Sequence, residues 1–371
     1  MVATTRLATF AAVIGMLAAT GSTAFAQKKY DTGASDTEIK IGNIIPYSGP
    51  ASAYGVVGKA MEGYFKKVND GHIVAIASRS AERAQAFSAR HGIPRIYDDY
   101  ESIVRDPGID VIYIATTHNF HKQHALLCLQ NGKHVLCEKP FATNAAEARE
   151  MIACARENGL FLMEAMWMKF NPAYRQVMHW IEDGLIGKIQ MLKADFGFRA
   201  PWEPESRLLN PELAGGALLD VGVYPVALAS QLFNAKPTLI EALALVGTTG
   251  VDEQTGIVLK YSHGQLAMLT AAIQTRIPNN ALILGTQGMI WIPSFWCSRM
   301  AVLWRRNKLP LFVLKTAGYQ FEAIEVNQCI RQGMKESKLM PHAETLAIME
   351  TMDSIREKIN LHYPSETNLV T

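Results

Sequence analysis

From His72 onward short apolar runs alternate with helical ones, and this alternation constrains the fold more than any other feature of the chain. The pattern reads strand (His72 to Ala77), helix (Ala81 to His91), helix (Tyr100 to Arg105), strand (Val111 to Ala115), helix (His121 to Asn131), strand (His134 to Cys137), helix (Asn144 to Glu157) and strand (Leu160 to Met163). Strands separated by helices pair in parallel. After Asn171-Pro172 the rhythm changes to longer apolar strands near Leu192 to Phe198, Leu239 to Val246, Ile257 to Tyr261, Leu266 to Ala271 and Ala281 to Leu284. These favour a mixed or largely antiparallel open sheet. Helices Tyr319 to Gln332 and His342 to Ile359 close the chain, the last expected to pack back on the first domain. The division predicted is 71–168 for the parallel-sheet domain and 169–371 for an α+β domain.

A chain of 371 residues, 49% hydrophobic and 19% charged, has the material for two such cores and is a poor candidate for disorder. Its formal charge of +2 is spread without a long basic run, which argues against nucleic acid as a partner and for a small molecule. Five cysteines, Cys128, Cys137, Cys154, Cys297 and Cys329, lack metal-ligand spacing and read as reduced thiols.

The first 26 residues point elsewhere. Arg6 precedes an apolar run, Leu7 to Ala19, and small residues leading to Ala24-Phe25-Ala26, the pattern of a cleaved secretory signal. The run is too short to span a bilayer, so no membrane span is expected after cleavage. Residues 27–70 then read as a strand (Ile39 to Ile45), a loop (Ser48 to Ser52) and a helix (Tyr54 to Val68). The wording Thr37-Glu38-Ile39-Lys40-Ile41-Gly42 and Pro46-Tyr47-Ser48-Gly49-Pro50 resembles the mature start of periplasmic branched-chain amino-acid binding proteins. Beyond Asp70 no segment carries a second lobe for such a protein.

Two motifs carry chemistry. Gly132-Lys133-His134-Val135-Leu136-Cys137-Glu138-Lys139-Pro140 is a buried strand ending in an adjacent Glu and Lys, read as an ion pair, beside a proline that permits a cis bond and a sharp turn of the ammonium into a cleft. Open parallel sheets bind ligands at such carboxyl ends; a salt-bridged turn is the plain alternative. Gly215-Gly216-Ala217-Leu218-Leu219-Asp220-Val221-Gly222-Val223-Tyr224 places Asp220 and Tyr224 four apart, on one face if the segment is helical. A tyrosine whose proton affinity is lowered by a lysine can shuttle a proton during alcohol oxidation. A helical Asp and Tyr with a purely structural role is the alternative.

Together these motifs make residues 72–371 resemble the glucose-fructose oxidoreductase and inositol dehydrogenase family (Gfo/Idh/MocA), especially its dihydrodiol and D-xylose dehydrogenase branch. Supporting wording includes Ala77-Ser78-Arg79-Ser80, Phe161-Leu162-Met163-Glu164-Ala165-Met166-Trp167, Gly187-Lys188-Ile189 and Gly318-Tyr319-Gln320-Phe321-Glu322. The resemblance implies a Rossmann-like domain, here with its first strand, turn and helix replaced, and a nicotinamide-dependent oxidoreductase of sugars or diols. It makes Lys139 the contact to cofactor and substrate, with Glu138 as its partner. It makes Tyr224 the proton relay and Asp220 the residue that holds the substrate hydroxyl or orients the tyrosine. Arg207, Trp202, Phe198 and Trp296 are expected around the substrate. Lysine charge stabilises a developing alkoxide, so no metal is implied.

The end of the first strand after Asp70 lacks an acidic residue and offers Ser78, Arg79 and Arg83, which favours NADP over NAD. Thr116, Thr117 and His118 are expected to border the nicotinamide, and Trp167 to pack on it. Lys169 stands where the family often has arginine. His118, His121 and His124 are spaced so that the third diverges from the first two, against a metal site. The family's Gly-x-Gly-x-x-Gly turn is absent, and Tyr47 and Pro50 are poor substitutes, since proline supplies no amide hydrogen to a phosphate. The reading is therefore a chimera: an amino-acid binding protein's leader and first unit joined to an oxidoreductase, with activity at risk. A binding-protein fragment and an inactive chimera are the rivals. The leader implies the periplasm or secretion, the remainder the cytoplasm. A homodimer through the open sheet is expected.

Overall fold

The computed structural model describes residues 38–44, 68 and 71–367. The leader, the loop 48–52 and, except for Val68, the helix 54–68 lie outside the described residues. The first sheet has six parallel strands, β1 (Ile39–Ile44), β2 (Gly71–Ala77), β3 (Arg95–Tyr97), β4 (Val111–Ile114), β5 (His134–Glu138) and β6 (Leu162–Ala165). Their order is β3-β2-β1-β4-β5-β6, the doubly wound arrangement. β4 and β5 are buried along their whole length, as parallel strands covered on both faces must be.

β1 comes from the segment that resembles a binding protein, yet it stands at the centre of the sheet. Ile41 lies opposite Ile73 on β2 and Val111 on β4. Ile39 and Ile41 enter the core on one face with Tyr113 and Leu136, and Ile44 enters the other with Ile112 and Ile114. A strand of apolar residues with β-branched Ile is interchangeable at this level, because the sheet asks of it only backbone pairing and two apolar faces.

Helices α1 (Ala81–His91), α2 (Tyr100–Arg105), α3 (His121–Gln130) and α4 (Ala145–Glu157) lie where their sequence patterns put them. Gly92 ends α1 in the left-handed conformation, and the Asn144 side chain accepts the Glu147 amide at 2.9 Å to cap α4. β6 begins two residues later than the sequence suggested. The Leu160 amide donates back to Ala155 O at 2.9 Å, so Leu160 belongs to the helix end and not to the strand.

The second sheet has eight strands in the order β14-β13-β12-β11-β7-β10-β9-β8. β7 (Ile189–Gly197) and β10 (Leu266–Ala272) pair in parallel, and the other neighbours are antiparallel. β8 is Leu239–Val246, β9 Asp252–Lys260 and β11 Asn280–Gly285. β12 (Gly288–Pro293), β13 (Met300–Arg305) and β14 (Leu311–Leu314) were not singled out in the sequence, since they are short apolar runs without a polar residue at every second position. Nor was helix α5 (Pro172–Glu182), where Pro172 starts a helix instead of breaking one.

α6 (Val223–Phe233) packs on the inner face of this sheet, while Leu243, Val258, Met268, Phe312 and Leu314 remain exposed. An open concavity of about 540 Å³, lined by Leu243, Val258, Met268 and Leu282 among others, lies on the exposed face. The stretch Pro211–Phe233 is long and apolar enough to cross a membrane, but 89% of its apolar window is buried inside the protein.

The last long helices are α7 (Gln320–Arg331) and α8 (His342–Lys358). α8 touches both halves, packing on α4 and α6. Its Thr345 hydroxyl donates to Glu164 Oε2 of β6 at 3.0 Å, and its Glu344 pairs with the buried Lys169 at 3.0 Å. Burial pushes the Glu164 carboxyl up to about 7 and pulls the Lys169 ammonium down.

An unfolded glutamate ionises near its ordinary value, so the folded Glu164 holds a proton that the unfolded chain has lost. Stability therefore falls as pH rises from about 4 to about 7 and levels off above. Glu164→Gln keeps an acceptor for Thr345 and removes this loss. Thermal melts should show it more stable than the parent at alkaline pH by about 3 kcal/mol, with the advantage vanishing in acid. An advantage that is independent of pH would contradict the assignment.

Candidate active site

β5 ends at Glu138, and the Lys139–Pro140 bond that follows is cis. The Lys139 ammonium donates to the backbone carbonyl of Asp220 at 2.5 Å and lies 3.3 Å from its Oδ1. Arg207 Nη1 donates to the same Oδ1 at 2.7 Å. Burial alone would raise the Asp220 carboxyl, but the two cations outweigh it and hold the group well below the usual carboxylate range. Asp220 is thus a fixed anion at the junction of the two sheets.

Two expectations change here. Glu138 does not pair with the Lys139 side chain, because adjacent residues of an extended segment point apart. Its Oε1 accepts the Tyr113 hydroxyl at 2.5 Å, and its Oε2 accepts the Lys139 backbone amide at 3.2 Å. Arg207, expected at the substrate, is engaged with Asp220, the nearest buried negative charge.

Asp220 and Tyr224 are carried by a π-turn and the start of a helix rather than by one continuous α-helix. Leu218–Gly222 is a π-turn that leads into α6, and both side chains reach the Lys139 ammonium, Asp220 through its carboxylate and Tyr224 through its ring. Asp220 meets Lys139. Tyr224 meets Trp167, whose indole N–H donates to the phenol oxygen at 3.0 Å. The ammonium lies 5.2 Å from the centre of the Tyr224 ring. Nor is the proton affinity of Tyr224 lowered: burial, with smaller contributions from Tyr319 and Glu138, holds it well above the ordinary phenol value. In this arrangement Tyr224 is a neutral donor.

An aromatic wall surrounds it. Phe196 stacks on Trp296 with ring centres 4.7 Å apart, Trp167 stacks on Tyr319 at 4.3 Å, and Phe196 lies 5.3 Å from Tyr224. Phe196 and Tyr319 were missed as site residues. The alternation along β7 carried a signal, since Phe196 and Phe198 lie on the same side of the strand direction and Phe196 is the more deeply buried. Phe198 packs partly buried against the core, whereas Trp202 has 52% of its surface exposed and joins none of these ring contacts.

The remaining candidates sit at the carboxyl ends of β2, β4 and β5, along one edge of the parallel sheet beside its switch point. Ser78 is buried. Arg79 is exposed, with its guanidinium 5.8 Å from the centre of the Phe120 ring, and Arg83 is exposed on α1. Thr116, Thr117 and His118 are buried after β4. His118 Nδ1 contacts Ala214 O at 3.0 Å, and His121 bridges Thr116 O and Pro140 O at 3.1 and 2.9 Å. Thr116 Oγ1 lies 3.1 Å from His124 Nδ1. Burial lowers His121 and His124 to about 4, so both are neutral. Among the described residues no group of three His, Cys, Asp or Glu is placed to hold a metal.

The edge fits a nicotinamide dinucleotide. Strand ends supply Arg79 after β2, hydroxyls after β4 and an ammonium after β5. The segment after β1, where a phosphate-binding turn belongs, lies outside the described residues.

Comparison with known proteins agrees with this geometry. Residues 53–166 match the model of an oxidoreductase family with an NAD-binding Rossmann fold, and residues 174–291 match the Gfo/Idh/MocA C-terminal domain. A trans-1,2-dihydrobenzene-1,2-diol dehydrogenase of Xenopus laevis is 40% identical over 305 residues, covering 80% of this chain and 92% of the relative. Its Homo sapiens counterpart is 36% identical over 304 residues, covering 79% and 90%. A 3-ketoreductase from Actinomadura kijaniata, solved in complex with NADP and TDP-benzene, superposes with a TM-score of 0.77 at 25% identity over 87% of this chain and 98% of that one. A doubly wound sheet with Lys139 at its edge, a second sheet that presents Asp220 and Tyr224 to it, and matches across both halves place this chain in the Gfo/Idh/MocA family of nicotinamide-dependent oxidoreductases.

Proposed function

We propose that the chain oxidises a CH–OH group of a cyclic diol, or of a sugar such as D-xylose, with NADP as cofactor. The observation that carries this reading is the Lys139 ammonium, anchored by Asp220 and set beside the Tyr224 phenol at the carboxyl end of β5. When bound, the nicotinamide supplies the hydride acceptor. Ser78, Arg79 and Arg83 would hold the 2′-phosphate that distinguishes NADP, and Thr116, Thr117, His118 and Trp167 would border the ring.

Substrate oxygen would lie between Lys139 and Tyr224. The ammonium stabilises negative charge that develops there, and the two-cation grip on Asp220 keeps that ammonium in place. Because Trp167 donates to the phenol oxygen, the Tyr224 O–H is directed outward and carries the proton to or from the substrate oxygen. In the reduction direction the neutral phenol gives its proton to the oxygen of the carbonyl as that carbon accepts hydride, and oxidation is the reverse of this step, with the alcohol proton returning to Tyr224. Phe196, Trp296 and Trp167 offer flat apolar faces, which suit the ring of an arene dihydrodiol. The names of the most similar relatives support the same class.

Turnover with trans-1,2-dihydrobenzene-1,2-diol and D-xylose, followed by NADPH formation, tests the reading. Tyr224→Phe should lower kcat by about a hundredfold while cofactor affinity holds. No turnover by the folded parent chain, or an undiminished rate in Tyr224→Phe, would overturn it.

The same reading includes a homodimer. Leu243, Val258 and Met268 are exposed on the neighbouring strands β8, β9 and β10 and line one concavity together, an apolar area suited to a second copy. Light scattering should give twice the chain mass for the parent and a shift toward monomer for Leu243→Glu. A monomeric parent would remove the dimer.

A further inference from the structure

A second buried cluster lies behind the site, outside the residues assigned any role above. Asp252 opens β9 and is fully buried. Its Oδ2 accepts the Leu218 amide at 2.8 Å and the Thr255 hydroxyl at 2.6 Å. Leu218 is the first residue of the π-turn that carries Asp220, and six residues later comes Tyr224. The other oxygen, Oδ1, occupies the space a Cβ at Gly216 would need, and Gly216 itself has φ +116°. The second glycine of this motif thus has a physical cause: at Gly216 the backbone passes close to the Asp252 carboxylate in a conformation that side chains resist.

Arg356, near the end of α8, is the cluster's cation and is almost wholly buried. Its Nη1 donates to Thr143 O at 2.9 Å, three residues beyond Pro140. Its Nη2 pairs with Glu366, whose Oε1 in turn accepts the Asn144 side-chain amide at 3.0 Å. The guanidinium also lies 4.8 Å from the centre of the Tyr363 ring, and the Tyr363 hydroxyl donates to Gly215 O at 2.8 Å. Burial pushes the Asp252 carboxyl up to about 7, opposed by its two donors and by the charge of Arg356. One cluster therefore touches both strands of the chemistry: the loop after Lys139-Pro140 and the segment before Asp220.

We propose that Asp252 and Arg356 are positioning residues, which set the separation of Lys139 from Asp220 and Tyr224 by fixing, from behind, the loop 141–144 and the start of the turn 215–218. Neither touches the reacting groups. The inference rests on the proposed function for its kinetic arm. Reacting groups misplaced by about an ångström lose rate steeply, whereas cofactor contacts at the ends of β2 and β4 are untouched.

The experiment compares the full chain with Asp252→Ala, Asp252→Asn, Arg356→Met and Arg356→Lys, each checked for folding by thermal melts. In the folded variants Asp252→Ala and Arg356→Met should lower kcat about tenfold while the affinity for NADPH changes less than about twofold. Asp252→Asn and Arg356→Lys, which keep an acceptor and a donor, should recover most of the rate. Amide hydrogen exchange supplies a readout that needs no activity: peptides covering 141–144 and 215–222 should exchange faster in the two disruptive variants, with β11 and β12 unchanged. Unaltered exchange in those two segments would overturn the inference even if the parent chain has no turnover. Accelerated exchange in the disruptive variants of a parent that turns over nothing would leave the positioning intact and place the failure in the proposed reaction. A rate that falls only in proportion to the unfolded fraction, or equally in the conservative pair, would reduce both residues to stability and overturn the positioning role.

Discussion

Everything at the site depends on one contact across the two halves of the molecule, the Lys139 ammonium against Asp220. A buried ammonium is costly unless its charge is met, and a buried carboxylate likewise. Here a single carboxylate meets two cations, Lys139 from the parallel sheet and Arg207 from the loop before the π-turn. The second sheet is held against the first at the place where a proton must move. Breaking one partner would leave the others charged in a poorly solvated space, so the arrangement resists partial disassembly.

The fold places this contact with generic means. A parallel sheet requires apolar strands, helix crossovers and little else, which is why β1, from a segment whose wording resembles another family, can stand at its centre. β1 satisfies backbone pairing with β2 and β4 and presents isoleucines to both faces. What a strand cannot supply is the phosphate-binding turn, which depends on particular backbone conformations and glycines. The residues at the β5 end lie within the described residues, and the segment after Ile44 lies outside them.

Much of this was legible in the residues. Periodicity located α1, α2 and β8, since their apolar spacing is regular and their ends carry Gly92, Asp99 and Pro237 as punctuation. The Glu-Lys-Pro and double-glycine motifs led to Lys139, Asp220 and Tyr224. Other features were not legible, for identifiable reasons. A π-turn of five residues has no periodicity that distinguishes it from an α-helix, so the change of helix type between Asp220 and Tyr224 was not visible. Adjacent charges at Glu138 and Lys139 looked like a pair, although strand geometry separates them and Tyr113, 25 residues upstream, takes the glutamate. Asp252 and Arg356 act through contacts 34 and 213 residues away in sequence, beyond the reach of any local pattern.

The central claim is that this chain, with its unusual first strand, assembles a working nicotinamide site. Titration of the purified chain with NADPH, followed by protein fluorescence and repeated with Arg79→Ala, tests it most directly. The account predicts saturable NADPH binding, weakened about tenfold by Arg79→Ala through loss of the charge that faces the 2′-phosphate. A folded chain that binds neither NADPH nor NADH would contradict it.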